Sequence, residues 1–273
     1  MRRARVLYRF WFAFGSILAV LYAFPFLLVL VNSLKGRREA RNNPIAWPES
    51  FLWENFVEAA ERMEFWQALG NSILVTSTSL VAIVLTSSML AFYLARSRAK
   101  SSSAIFLILV TSMIVPFQAL MIPFVGFFGN LGMLSSRFWI MFFYVGFGVA
   151  MSTFLYHGFI KNIPLELDEA ASIDGASAWT TFWRVIFPML SPVTATVAII
   201  NGLWIWNDFL LPSIVLYEDS RTLPLRTFVF YGQYTSDYGL AMAALVMSMI
   251  PIVLFYFAMQ KRIIQGISAG AVK

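Results

Sequence analysis

Six long apolar runs, separated by shorter polar segments, organise the chain. They fall at about 10–31, 70–95, 104–129, 137–159, 192–214 and 239–260, and as helices each can cross ~30 Å of hydrocarbon. The pattern predicts an all-α membrane protein with six transmembrane helices in one domain, 1–273. Arg2, Arg3, Arg5 and Arg9 lead into the first run as they would in a signal peptide. The run is of spanning length, however, and no small-x-small cleavage site follows it, so it is read as an uncleaved span.

The longest polar interruption of the first half is 34–69. Pro44 and Pro48 bracket an extended stretch there, and Ser50 is expected to cap a helix with Trp53, Phe56, Val57 and Ala60 on one face. Between spans four and five, residues 160–191 predict a helix–turn–helix beside the membrane. Pro164 suits a first helical turn, and Glu166, Asp168 and Glu169 follow where the helix dipole favours negative charge. Gly175 can take positive φ and end that helix. A second helix then carries Trp179, Phe182, Trp183 and Ile186 on one face until Pro188 and Pro192. One helix is thus free to meet a partner, and the other is expected to lie along the bilayer surface.

Composition agrees with a membrane chain: 59% of residues are hydrophobic, only 12% are charged, and mean hydropathy is +0.73. Soluble domains carry about a quarter charged residues. The basic pI, near 9.7, would suit nucleic acid, but Lys and Arg sit mostly between apolar runs, where they set topology. With the N-terminus inside, the inner segments hold twelve of the twenty Lys and Arg and four acids, Glu166, Asp168, Glu169 and Asp174. Lys35, Arg37, Arg38 and Arg41 run against this bias from just beyond the first span. Both termini and the 160–191 loop are therefore expected on the cytoplasmic side, with no nucleic-acid partner.

Polar residues inside the spans are few. Ser72, Thr76, Ser79, Ala82, Thr86, Ala91 and Ala95 make the second span a packing helix. Gln118 lies between Pro116 and Pro123, which predict a kinked third span, either beside a translocation path or only packed. Asn201 falls near mid-depth of the fifth span, with Trp204, Trp206, Asn207 and Asp208 beyond it. Asn201 and Asn207 are candidates for lining a path, while Asn201 serves equally as a hydrogen-bonding link between helices. Trp204 and Trp206 suit sugar stacking or an aromatic belt. His157, the only histidine, is read as interfacial. No phosphate-binding loop, Cys/His metal cluster or Ser/His/Asp set is present, so no catalytic or metal site and no cofactor of its own is expected. A proton-coupled carrier usually keeps acids or bases in its spans, and Asp208, near an edge, is the only acid there.

Glu169-Ala170-Ala171-x-x-Asp174-Gly175-Ala176-Ser177, followed by Phe182, Ile186 and Pro188, resembles the EAA loop of the membrane subunits of ABC importers. Phe187 stands where that family usually has Leu, a change of volume on an apolar face. A second tripeptide, Glu58-Ala59-Ala60, lacks the Asp-Gly and the later Pro. Trp47-Pro48, Asn55-Phe56-Val57, Asn71-Ser72 and the tail from Gln260 to Lys273 resemble the maltose-type second membrane subunit of carbohydrate importers. The resemblance implies a subunit in a prokaryotic cytoplasmic membrane that translocates sugar by alternating access. Its implied partners are a second, different membrane subunit, two ATPase subunits that hold ATP and Mg, an extracytoplasmic sugar-binding protein, and membrane lipid. Glu169, Ala170, Ala171, Asp174, Gly175 and Pro188 would form the coupling element, with Glu169 as its charged contact. The outer segment at 217–238, with Asp219, Arg221, Arg226, Tyr231, Gln233 and Asp237, would meet the binding protein. The tail, with Gly266, Ser268, Gly270 and Lys273, would reach between the ATPase subunits. From residues alone, that tail is too rich in glycine to hold a helix and would be a frayed end. The rival from another class is a self-contained carrier or channel whose cytoplasmic hairpin is only structural.

Overall fold

A computed structural model describes the backbone of residues 2–230 and 237–271, and the side chains of 7–230, 237–258 and 260. Helices dominate: α1 (Arg2–Ser33), α2 (Arg37–Asn42), α3 (Glu54–Arg62), α4 (Phe65–Arg96), α5 (Lys100–Ser112), α6 (Phe117–Asn130) and α7 (Arg137–Ile160). Then come α8 (Glu166–Ile173), α9 (Ala178–Met189), α10 (Ser191–Asn207), α11 (Leu210–Val215) and α12 (Tyr238–Ala271). No strand occurs among the described residues. Four helices are long and apolar enough to cross a membrane, or up to six if each of two bent pairs is one span.

The first bent pair replaces the single kinked helix expected over 104–129. α5 and α6 meet at 102°. Pro116 supplies the break, since it cannot donate to the preceding turn and it pushes Val115 away from helical backbone. The N–H groups of Met113, Ile114 and Val115 bond three residues back, to Val110, Thr111 and Ser112 at 3.1–3.3 Å, a tightened last turn that uses carbonyls the break would leave without partners. The second bent pair is α9 with α10, at 76°. The expected span 192–214 is interrupted beyond it. Asp208 leaves the helix at extended backbone (φ −70°, ψ 130°), and its Oδ1 accepts from Leu210 N at 3.0 Å to start α11. An apolar run hides such a stop, because the sequence stays hydrophobic through Val215.

The chain divides into two compact units. In the first, 1–66 with 226–251, Lys35 is fully buried, and its Nζ donates to Asn43 O (2.8 Å), Asn32 Oδ1 (3.3 Å) and Pro44 O (3.4 Å). One charge of the cluster that opposes the topology count is thereby solvated inside the protein. The helix expected after Ser50 is α3, but Trp53 stands at its N-cap with no side-chain cap bond. Trp53 and Val57 face out, Phe56 and Ala60 are half-buried, and Ala59 and Met63 are buried, so the expected apolar face is only partly the packed one. The Glu58-Ala59-Ala60 tripeptide lies in this helix, and Glu58 pairs with Arg62.

In the second unit, 67–225 with 252–273, α4 buries Ser72, Val75, Ser79, Ile83, Ser87, Ala91 and Leu94, a stripe of small and apolar residues at helical spacing. α7, capped by Ser136 Oγ, which accepts from Phe138 N, packs against α5 and α10. A Cβ on Gly148 of α7 would lie 2.6 Å from Ile83 Cδ1 and 2.9 Å from Asn201 Oδ1, closer than real Cβ atoms come. Gly148→Leu is therefore expected to overpack this junction by about 1–3 kcal/mol. A lowered Tm in detergent checks it, and an unchanged Tm would show that the neighbours yield freely. His157 is buried and stacked on Phe106, with ring centroids 4.0 Å apart.

The backbone of the tail also departs from expectation. Residues 266–271 continue α12. Extending an existing helix needs no new nucleus, so two glycines do not stop it. Lys273, Tyr231 and Gln233 lie outside the described residues.

Candidate functional site

α8 begins just after Pro164 with Glu166, Asp168 and Glu169 in its first turn. It ends at Asp174, and Gly175 takes φ +80°. Ala176 N then bonds Ala171 O (2.9 Å) and Gly175 N bonds Ser172 O (3.0 Å), the paired closure of a Schellman turn. Ser177 starts α9, with Oγ accepting from Thr180 N at 3.2 Å. Each end of this joint is fixed by local chemistry written in the sequence.

The two helices differ in how they are held. α9 widens to a π turn over Phe182–Ile186. Pro188 accounts for it: in a regular helix its ring would meet the Arg184 carbonyl and it has no N–H to give. The widened turn buries Phe182, Ile186 and Leu190, with Phe182 against Phe92 of α4 (ring centroids 5.5 Å). Each such side chain contributes about 2 kcal/mol. Trp179 stays 60% exposed. The single aromatic face expected along the bilayer is thus split, half of it turned into the core. Phe187 is partly buried and packs on Trp183 (5.0 Å) and Phe182 (5.7 Å).

α8, by contrast, buries none of its residues. Glu169, Ala170, Asp174 and Gly175 are exposed, Ala171 is half-buried, and Ile173 is 86% exposed. Eight residues are too few for a stable isolated helix in water, so caps, dipole and charge hold it. The charge comes from a residue that the sequence marks only as a topology signal: Arg96 Nη2, at the end of α4, lies 2.8 Å from Asp168 Oδ2.

A second feature is a cavity of about 800 Å³, whose mostly apolar lining includes six phenylalanines of α6 and α7 together with Gln118, Trp204 and Asp208. Tyr144 OH donates to Asp208 Oδ2 (3.0 Å), and Trp204 packs edge-on to Tyr144 (5.4 Å). The three polar candidates are not brought together. Asn201 is buried in helix packing, donating to Ser152 Oγ and Val197 O, both at 2.9 Å. Asn207 is exposed and turns back to Leu203 O (2.7 Å). Only Gln118 of the three is a lining residue.

The segment at 217–225 is tied to the start of α4. Asn71 donates to Asp219 O (3.1 Å) and Arg221 O (3.0 Å) and accepts from Arg137 (2.9 Å). Gln67 reaches Asp219 O (2.9 Å), and Ser72 Oγ accepts from Leu223 N (2.7 Å). This gives Asn71-Ser72 a physical role: with Gln67, they hold an irregular loop on a helix end by four hydrogen bonds. Arg226, counted among that segment's polar residues, is instead buried and paired with Glu64.

Comparison with known proteins agrees with this picture. The family of binding-protein-dependent transport system inner membrane components matches residues 83–269. The probable starch degradation products transport system permease protein AmyC of Thermoanaerobacterium thermosulfurigenes is 43% identical, over 95% of this chain and 94% of that one. The multiple sugar-binding transport system permease protein MsmG of Streptococcus mutans is 36% identical over 100% of both chains. In fold, the chain is similar to a crystal structure of a bacterial ABC transporter involved in import of the acidic polysaccharide alginate, with TM-score 0.80 and 22% identity over 96% of this chain and 98% of that one. The helix pair 166–189, the apolar spans and this relatedness over nearly the whole length lead to one assignment: the chain belongs to the inner membrane components of binding-protein-dependent transport systems, as the multi-pass, non-ATPase subunit of an ABC importer.

Proposed function

We propose that the importer carries a carbohydrate, delivered by an extracytoplasmic binding protein, and that α8 with its Gly175 turn is where a separate ATPase drives this subunit. The observation that carries the reading is α8 itself, a short helix with no fully buried residue that sets Glu169, Ala170 and Ile173 outward. Glu169 supplies a charged contact, Ala170 and Ala171 allow close approach, and Gly175 sets the angle to α9, whose π turn before Pro188 fastens the pair to the core. Closure of the ATPase then moves α9 and the helices packed on it as a body. Both termini and α8 are cytoplasmic, six spans are completed by the bent α5–α6 pair and by α10, and ATP with Mg stays on two ATPase subunits. A second, different membrane subunit completes the pathway, with Gln118 facing it from the cavity. The named cargoes of the relatives, starch degradation products and multiple sugars, support a carbohydrate.

Reconstitution tests this. The chain with its partners should take up radiolabelled malto-oligosaccharides only with ATP and the binding protein, and the chain alone should take up none. Uptake by the chain alone, driven by an ion gradient, would make it a carrier whose hairpin is only structural.

The tail gives a smaller prediction. Deleting residues 266–273, including Gly266, Ser268, Gly270 and Lys273, is expected to lower uptake or loosen ATPase co-purification without altering insertion. Equal uptake and co-purification would leave the tail as a helix end without a role.

A further inference from the structure

We propose that Arg96 is a positioning residue that passes movement of α8 to α4. This rests on the reading of α8 as the ATPase-driven element. α9 is already anchored to the core through Phe182, Ile186 and Leu190, whereas α8 has no buried residue to hold it. Between α8 and the end of α4 lies a cavity of about 620 Å³, with Met89, Phe92 and Tyr93 on one side and Leu165, Ser172 and Trp179 on the other. α8 therefore has room to move towards α4, and one contact bridges the gap.

That contact is Arg96 with Asp168, whose side chains are 17% and 15% exposed. Poor exposure makes the attraction stronger than at an open surface, and loss of one partner would strand the other. Arg96 Nη2 also donates to Ile163 O (3.1 Å), which fixes the guanidinium beside the start of the loop. The pair is incompletely formed. Asp168 Oδ2 is 2.8 Å away but makes no aligned hydrogen bond, and buried Arg96 Nε has no hydrogen-bond partner. A guanidinium fork can hold a carboxylate by two parallel bonds, and here Nε is left without one. A displacement of α8 that set Asp168 on Nε as well would give the pair a tighter state to move into. A push on α8 then reaches the long α4, whose buried small-residue stripe packs in the core of this unit.

The test uses the assembled complex in proteoliposomes, with ATP hydrolysis measured with and without binding protein loaded with malto-oligosaccharides. Arg96→Gln is expected to keep ATPase co-purification and basal hydrolysis but lower stimulation by the loaded binding protein about tenfold. Asp168→Asn should move stimulation in the same direction, and Arg96→Lys, which keeps charge but lacks the fork, should fall between wild type and Arg96→Gln. Wild-type stimulation in Arg96→Gln would overturn the proposal. So would loss of the ATPase subunit from Arg96→Gln and Arg96→Lys alike, which would make the pair a docking or folding element. Absence of stimulation in the wild-type complex would overturn the functional reading, and this proposal with it.

Discussion

Gly175→Val is expected to abolish ATP-driven uptake in the assembled importer while leaving membrane insertion intact. No heavy atom lies within 4 Å of a Cβ built at Gly175, so space does not forbid the valine. Backbone conformation does. At φ +80° a non-glycine residue pays about 1–2 kcal/mol, and a β-branched one is a genuine outlier there. The two Schellman bonds depend on that conformation, so the turn would re-form with α8 at a different angle to α9. Insertion should survive, because α8 has no fully buried residue and the packed apolar face belongs to α9. Gly175→Asn is the control, since asparagine tolerates the left-handed region, and it should retain most uptake. Uptake and ATPase activity of both variants check the pair of expectations. Wild-type uptake by Gly175→Val would mean that the angle between the helices does not matter.

Glu169→Lys is the second large effect. Within its own helix, Glu169 gains only about 0.3–1 kcal/mol from the dipole of the first turn. As a charge buried on docking, its reversal should cost ~2–5 kcal/mol, a loss of ATPase affinity of about thirtyfold or more. The two roles are separable by size. Titration of the ATPase against membranes holding each protein gives the ratio, and weakening below about fivefold would assign Glu169 to its own helix alone.

Hydrophobic periodicity made the helices legible, because an apolar run of spanning length has few other structures open to it. Local chemistry did the same for α8 and its turn: Pro164, the acids of the first turn and Gly175 each have one local job. Other features were not legible, for identifiable reasons. A proline marks where a helix yields but not by how much, so Pro116 announced a kink and the chain turned by 102°. Asp208 breaks its helix within a run that stays apolar on both sides. The π turn before Pro188 rotates Phe182 and Ile186 inward, which a regular period cannot foresee. Arg96 and Asp168 belong to different elements, and a charge at a span end reads as topology until its partner is seen. Lys35 misleads the positive count for the same reason, since its carbonyl partners are set by folding.

The account stands or falls on α8 meeting an ATPase. The chain has no cysteine, so Ile173→Cys supplies a single thiol at one of the most exposed positions of that helix. Labelled with benzophenone maleimide and irradiated in the assembled complex, it should cross-link to the ATPase subunit, with a yield that changes on adding ATP. The same label at Val253→Cys, in the apolar part of α12, should not. A label at Ile173 that captures only lipid or the binding protein, and never the ATPase, would contradict the account.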